Sequence, residues 1–477
     1  MAQAVVLGVD LGTTGVRVLA VTDRGEVIAE TTREYPLLTP RPGWTEQRPE
    51  DWTVAATRAL EEVAAATEGH DIVALGLSGQ MHGMVPLGAR GEVVRPAILW
   101  NDQRTAGAVE EMEARIPREI FVERTGNPPI TGFHAAKLLW LRREEPENFA
   151  RTRHSLLPKD YLGYALTGEM RAEPSDASGS NCFNLNAKAW DEEILGALEL
   201  PSTLFPEVVA SHQVTGRLRA EIAERVGLPA GLQVVAGAGD NAAAATGLGL
   251  GAHDIAIGSV SLGTSGVVFA PLGQATPDPA GRVHLFCHAD GGYHLLGVTL
   301  AAAGSLQWFK RTFAPEQGYD ELTRQAAASP PGANGVTFKP YLAGERTPFL
   351  NPDLRGSFSG LSLATSREDV IRAVLEGVAF SLRDALDVMK PLTSLRTCLA
   401  TGGGARSDLW LQMVADALEV TVTRPAENRG AAYGAALLAL KGVGLVARTT
   451  EVARTAQEAR FEPEPKRYRE ALARYRS

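Results

Sequence analysis

Asp10-Leu-Gly-Thr-Thr-Gly15 joins two alternating apolar runs: Val5, Leu7 and Val9 precede it, and Val16, Val18 and Ala20 follow it. Period-two alternation on both sides of a turn rich in Gly and Thr marks a β-hairpin. Asp23-Arg24-Gly25 makes a further turn before Val27-Ile28-Ala29, so the chain opens as a three-stranded antiparallel meander. Just over half the chain later, Ser261-Leu-Gly-Thr-Ser-Gly266 repeats the device, led into by Ile255-Ala256-Ile257 and followed by Val267-Val268-Phe269. That separation is too long for a solenoid period. It points to two lobes of like topology, with chance similarity of two Gly-Thr hairpins as the competing reading.

Outward from these hairpins, helical spacing is expected over 50–66 and 368–389, the latter through Val370, Val374, Val378, Leu382 and Leu386. Strands are expected at 72–77, 397–400 and 421–423, with helices from about Ser407 and over 430–441. Strands alternating with helices imply an α/β protein. The charged segment 450–477 reads as a helix with a solvated face. The Ala- and Gly-rich helix after Asp240 ends near 247, which divides the chain into 1–247 and 248–477.

A chain of 477 residues needs at least two cores. The formal charge of −9 offers no broad basic surface to nucleic acid or an anionic membrane, so an anionic ligand must be held by local devices. Cys182, Cys287 and Cys398 are an odd number without a Cys-x-x-Cys, as expected of a reducing, cytoplasmic setting. No apolar run reaches the roughly 18–20 residues of a membrane span. Residues 1–10 lack the basic start of a signal peptide.

Three loops have a composition that lets backbone approach phosphate: 11–15, 262–266 and 402–404. No lysine follows a glycine, so there is no Walker A loop, and no Gly-x-Gly-x-x-Gly occurs. Asp10 ends the first strand beside the Gly-Thr-Thr turn. There it suits either Mg²⁺, which binds through one or two carboxylates, waters and phosphate oxygens, or simple capping of its own turn. Asp240 ends another strand among small residues, with Asn241 next to it; an N-cap is the structural alternative. Met81 and His82 follow a strand at its C-terminal end, where α/β ligands commonly sit. Trp100 adjoins Asn101 and Asp102, an aromatic among polar groups that suits a sugar ring. His284, Cys287, His288 and His294 lie on a period-two pattern without a further ligand pair and read as ordinary strand residues rather than a metal set.

Together these motifs resemble the FGGY family of carbohydrate kinases nearly end to end. Gly356-x-Phe358-x-Gly360-Leu361, followed by Asp369-Val370-x-x-Ala373-Val374-Leu375-Glu376, fits the family's C-terminal signature. Lys137-Leu-Leu-Trp-Leu141 resembles its N-terminal signature, although His134 stands where Pro, Ser or Thr is usual. Gln80-Met-His-Gly83, Ile98-Leu-Trp-Asn-Asp102, Leu157-Pro-Lys-Asp160, Ser175-Asp-Ala-Ser178, Phe286-Cys-His288 and Gly344-Glu-Arg-Thr-Pro348 resemble the members that act on D-xylulose.

The resemblance implies two ribonuclease-H-like, actin-like lobes with an interlobe cleft for ATP and sugar: a sugar-binding N-terminal lobe and a nucleotide-binding C-terminal one. It implies transfer of the ATP γ-phosphoryl group to the 5-hydroxyl of D-xylulose. By position, Asp240 is implied as the base and Asp10 as the Mg²⁺-side acid, acting through water. Thr13, Thr14 and Arg17 would face the phosphates, with Gly263, Thr264 and Ser265 as the second phosphate loop. Gln307, Gly403 and Ser407 would lie near the nucleotide, and Met81, His82, Trp100, Asp240 and Asn241 near the sugar. A homodimer is a family expectation. Rival readings are a kinase for another ketose or polyol (ribulose, a pentitol) and an actin- or chaperone-like ATPase. An ordinary aspartate, with pKa near 4, is poorly matched to an alcohol. Asp240 is therefore expected to act chiefly by orienting the hydroxyl and taking its proton late.

Overall fold

The computed structural model describes residues 3–453 and 457–477. The chain forms two compact units: Met1–Ala252 with Phe286–Tyr293 and Arg429–Arg454, and His253–Leu285 with His294–Asn428 and Thr455–Ser477.

The first unit is built on a six-stranded sheet ordered 214–217, 233–239, 71–79, 4–11, 15–22, 27–34. The meander is present: Ala4–Leu11 pairs antiparallel with Gly15–Thr22, which pairs antiparallel with Val27–Glu34. Asp71–Gly79 runs parallel to the first strand, and Gln233–Gly239 runs parallel to Asp71–Gly79. The ends that carry Asp10, Gln80 and Asp240 therefore lie on the same side of the sheet.

Alternation along the first strand feeds two cores. Val5, Leu7, Val9 and Leu11 pack in a cluster with Trp52, Ala56 and Leu60 of the helix Pro49–Ala66. Val6 joins Ala432, Ala436, Leu437 and Leu440 of the helix Gly430–Gly442 on the other face. Each fully buried leucine there is worth about 1.5–3 kcal/mol relative to exposure.

Beyond the division expected at 247/248, there is a return of the segment from Arg429 to the first unit. Its cause is close packing of small residues. A Cβ on Gly8 would stand 1.9 Å from the Ala432 carbonyl oxygen, and one on Gly76 would stand 2.1 Å from that of Ala435. The bare sheet surface admits the helix backbone directly, and Gly434 admits Ala243 in the same way.

The second unit is built on a seven-stranded sheet ordered 284–287, 293–299, 266–272, 257–262, 397–401, 421–425, 457–461. Its hairpin pairs Ile257–Leu262 antiparallel with Gly266–Leu272, and Thr397–Thr401 runs parallel to the former. The long helix Arg367–Met389 starts at a capping box in which Ser366 and Asp369 bond each other's backbone.

The charged tail departs from expectation. Gln457–Phe461 is a strand that pairs antiparallel with Thr421–Pro425, and only Arg469–Arg476 is helical. The open edge of Thr421–Pro425 offers backbone partners that override helix propensity. Nor is the tail only a solvated face: Tyr468, Ala471 and Tyr475 are buried. Positions 454–456 of the expected segment lie outside the described residues.

Because a methyl group at position 76 would overlap a helix carbonyl, Gly76→Ala should destabilise the first unit by about 1–3 kcal/mol. Urea unfolding followed by tryptophan fluorescence measures this, and an unchanged midpoint would contradict the close packing.

Candidate active site

Asp10 stands level with Arg17 in the antiparallel pairing and with Ser78 in the parallel one. Ser78 Oγ donates to Asp10 Oδ1 at 3.0 Å. Burial raises the Asp10 carboxyl above its ordinary pKa, and the Ser78 hydrogen bond and the Arg17 charge oppose it.

The following turn is closed by the Gly12 amide donating to the Gly15 carbonyl at 3.0 Å. Thr13 sits in a hydrogen-bonded net. Its hydroxyl donates to Gln80 Oε1 at 3.3 Å and accepts the Trp100 indole N–H at 3.0 Å. Gln47 Nε2 donates to the Thr13 carbonyl at 2.7 Å, while Gln47 Oε1 accepts from Gln80 and Trp52, each at 3.0 Å. Thr14 is exposed. The Arg17 guanidinium donates to Glu30 at 2.7 Å and to the Arg429 carbonyl at 3.1 Å. Its charge also lowers the Asp10 carboxyl.

Asp240 owes its place to a bulge. The pairing of Gln233–Gly239 with Asp71–Gly79 slips between Val235 and Ala238, and Gly237 lies in the slip with φ +74°. A Cβ at position 237 would lie 1.5 Å from the Leu77 carbonyl oxygen, so only glycine passes. The helix Asp240–Gly247 starts at once. Asp240 Oδ1 accepts the Asn241 amide at 2.7 Å and Asn241 Nδ2 at 2.9 Å, and the same Nδ2 lies 3.9 Å from Met81 Sδ. Asp240, Asn241 and Met81 are thus one contact group.

Burial, and after it the Asp10 charge, push the Asp240 carboxyl up to about 7. This amends the expectation of an ordinary aspartate. A carboxylate with pKa near neutrality is matched to general-base work, provided a reacting hydroxyl reaches it.

Behind this strand end lies a polar core. The Gly239 amide donates to Ser175 Oγ at 3.1 Å, and Ser175 Oγ donates to Glu173 Oε1 at 2.8 Å. Lys159 Nζ stands 2.5 Å from Asp160 and 3.9 Å from both Glu173 and Asp176, all of them buried.

His82 has φ +67°, a left-handed conformation uncommon outside glycine. Its Nδ1 lies 2.7 Å from the Gly179 carbonyl. A carbonyl only accepts, so Nδ1 carries the proton, and in the neutral ring Nε2 is an acceptor. The ring stacks on Phe133 with centroids 4.2 Å apart, and Phe286 lies at 5.8 Å. A Cβ on Gly179 would reach 2.4 Å from His82 Nδ1.

The second unit holds a cavity of about 630 Å³. Gly263, Thr264, Gln307, Gly403 and Ser407 all line it; Ser265 is exposed beside it and does not. The Ala303 amide donates to the Gly263 carbonyl at 2.7 Å, which holds the hairpin turn against the start of the helix Ala303–Phe313. Gly402, at φ +85°, presses on Leu262, where a Cβ would approach within 2.6 Å of its carbonyl carbon. Ser407 caps the helix Asp408–Leu418, accepting the Trp410 amide.

Reading the sequence gave no role to Ser78, Gln47, Lys159 or Ser175. Ser78 becomes visible once 71–79 is set parallel to the first strand. Lys159 and Ser175 stood only within quoted motifs, and Gln47 carried no signal.

The N-terminal domain model of the FGGY family of carbohydrate kinases matches residues 5–247, and the C-terminal one matches 258–443. The chain is 39% identical to the xylulose kinase of Bacillus subtilis (strain 168) over 443 residues, 92% of this chain and 88% of that one. It is 41% identical to the xylulose kinase of Escherichia coli (strain K12) over 440 residues, 91% and 89% of the two chains. A crystal structure of a "xyloylose kinase" from Brucella ovis superposes with a TM-score of 0.92 at 40% identity, covering 98% of this chain and 97% of that one.

With its folded pKa raised from 3.8 to about 7, Asp240 binds more protons in the native state than in the unfolded state across that interval. Its stability contribution is therefore lost as pH rises through that window. Asp240→Asn removes the penalty, so thermal unfolding should show a gain in apparent Tm that is larger at pH 8 than at pH 5. An equal or opposite difference would contradict the raised pKa.

Proposed function

The chain belongs to the FGGY family of carbohydrate kinases, and we propose that it transfers the γ-phosphoryl group of ATP to the 5-hydroxyl of D-xylulose, giving D-xylulose 5-phosphate and ADP. The xylulose kinases to which it is about 40% identical over nine-tenths of its length support the sugar. The observation that carries the chemistry is the Asp240 carboxyl, raised to about 7 at a strand end beside Asn241 and Met81.

In this reading the first unit binds the sugar and the second the nucleotide. Asn241 fixes Oδ1 of Asp240, which leaves Oδ2 to take the hydroxyl proton. His82 Nε2 accepts from a sugar hydroxyl, and Trp100, half-exposed and tethered to Thr13, offers its face to the C–H surface of the sugar. Met81 supplies an apolar wall. Thr13 and Thr14 face the transferred group. Gly263, Thr264, Gln307, Gly403 and Ser407 hold ATP, with Ser265 at the rim of the second phosphate loop.

Mg²⁺ fits Asp10 chemically: a hard carboxylate oxygen, half-buried, with Ser78 on Oδ1. Among the described residues no cluster of three or more His, Cys, Asp or Glu could cage a metal, so the ion's other ligands would be water and phosphate. Bound there, it would supply charge neutralisation on the phosphates. Phosphoryl transfer has a loose transition state in which positioning and electrostatics dominate. The residues of this chain then orient the acceptor hydroxyl, hold its proton at Asp240 and exclude water.

Among the described residues no helix is long and apolar enough to cross a membrane. The three cysteines are buried free thiols, with Cys287 and Cys398 pushed up to about 12 by burial. Inert thiols of this kind support a cytoplasmic setting.

An ATP-consumption panel over D-xylulose, ribulose, glycerol and pentitols tests the substrate. D-xylulose should rank among the best by kcat/KM; a clear preference elsewhere reassigns the sugar, and sugar-independent ATP turnover at the same rate would favour an ATPase. Asp240→Asn should lower kcat by about 10²–10⁴-fold, the range of a general base, while ATP affinity stays within a few-fold. Substantial residual turnover would remove Asp240 from that role.

A further inference from the structure

The N-terminal end of the helix His134–Glu144 carries two buried, nitrogen-bearing side chains one turn apart, His134 and Lys137. Spacing of i and i+3 puts both on one helix face. Lys137 Nζ donates to the His82 carbonyl at 2.6 Å and to the Gly132 carbonyl at 2.5 Å. His134 Nδ1 lies 2.8 Å from the Gly83 carbonyl, and its Nε2 lies 2.8 Å from Ser155 Oγ. The carbonyl must accept from Nδ1, so Nε2 accepts the serine hydroxyl, and one neutral tautomer satisfies both bonds. Burial keeps that ring neutral, with its pKa lowered to about 3.

Two successive carbonyls, those of His82 and Gly83, are therefore held from the same helix. The first of them is the carbonyl of His82 itself, a residue that needs holding: it sits in a left-handed conformation that persists only when its surroundings over-determine it. The same helix start contributes Phe133, on which the His82 ring stacks. Gly132, the second partner of Lys137, is pressed against the backbone of Trp100, where a Cβ would stand 2.4 Å from the Trp100 carbonyl oxygen.

One buried amine thus ties the His82 loop to Gly132, whose backbone abuts that of Trp100. Burial lowers the Lys137 amine to about 7, with the Asp102 charge opposing that shift, and either protonation state of the amine keeps N–H donors for the two carbonyls. A helix staple could be made of apolar residues; two carbonyls aimed at one point require a donor.

We propose that Lys137, assisted by His134, is a positioning residue for sugar recognition: its N–H donors fix the His82 and Gly132 carbonyls and so set where the His82 imidazole and the Trp100 indole stand. This rests on the reading of His82 and Trp100 as sugar-contacting residues.

The test uses the full-length enzyme with D-xylulose and ATP, comparing Lys137→Met, His82→Ala and the double variant. Lys137→Met should raise KM for the sugar by about tenfold or more and leave KM for ATP within about twofold. If Lys137 acts through His82, the double variant should be no worse than His82→Ala within about twofold. Should Lys137→Met fail to accumulate, Lys137→Gln keeps an N–H donor in the same hole and should show a smaller, equally sugar-selective rise.

A folded Lys137 variant whose sugar KM is unchanged, or whose effect multiplies with that of His82→Ala, overturns the proposal. So does a loss spread equally over both substrates, which is the pattern of general destabilisation. If His82→Ala itself leaves the sugar KM unchanged, the sugar-contact reading fails first, and that result is separately visible.

Discussion

A carboxylate is better matched to an alcohol's proton when its own pKa is raised toward neutrality, and in the reading proposed here the strand end of the first unit does this to Asp240. Its position at the end of a parallel strand half-buries it and desolvates its carboxyl. Asp10, at the end of a strand of the same sheet, adds negative charge nearby. Asn241 opposes both with two hydrogen bonds to one oxygen, yet the carboxyl stays at about 7. Desolvation therefore outweighs local hydrogen bonding, and the same burial that tunes the group costs the fold stability wherever Asp240 is ionised. Such tension between stability and activity is common at catalytic centres.

Glycine supplies the geometry. Gly237 lets the strand slip past Leu77 and so deliver Asp240 at its end. Gly179 makes room for the His82 ring, and Gly8 and Gly76 let a late helix lie directly on the sheet. At each of these sites the need is a backbone atom or ring within 2.4 Å of where a Cβ would stand, so the local rule and the tertiary fold agree.

Much of this was legible in the sequence. The hairpins at 11–15 and 262–266, the long helix from 367 and the strand-end positions of Asp10 and Asp240 follow from periodicity and turn chemistry. Family resemblance then named five residues for the nucleotide side, and these five line one cavity. What periodicity could not show is long-range. Nothing in 430–442 says which sheet the helix will join. The edge strand 457–461 exists because a neighbouring strand offers its backbone. Arg17 pairs with Glu30 because two strands set them side by side. The departure at position 134 was legible only as an oddity; its partner, the Gly83 carbonyl, lies 51 residues upstream.

The most direct test of this account is the titration of Asp240 itself. In metal-free, nucleotide-free protein labelled with carboxyl-¹³C aspartate, the resonance lost in Asp240→Asn identifies the group. A midpoint near pH 7 is the expected result, and Asp10→Asn should move it downward by removing the neighbouring charge. A midpoint near 4, indifferent to Asp10, would contradict the raised Asp240 pKa on which the proposed proton transfer rests.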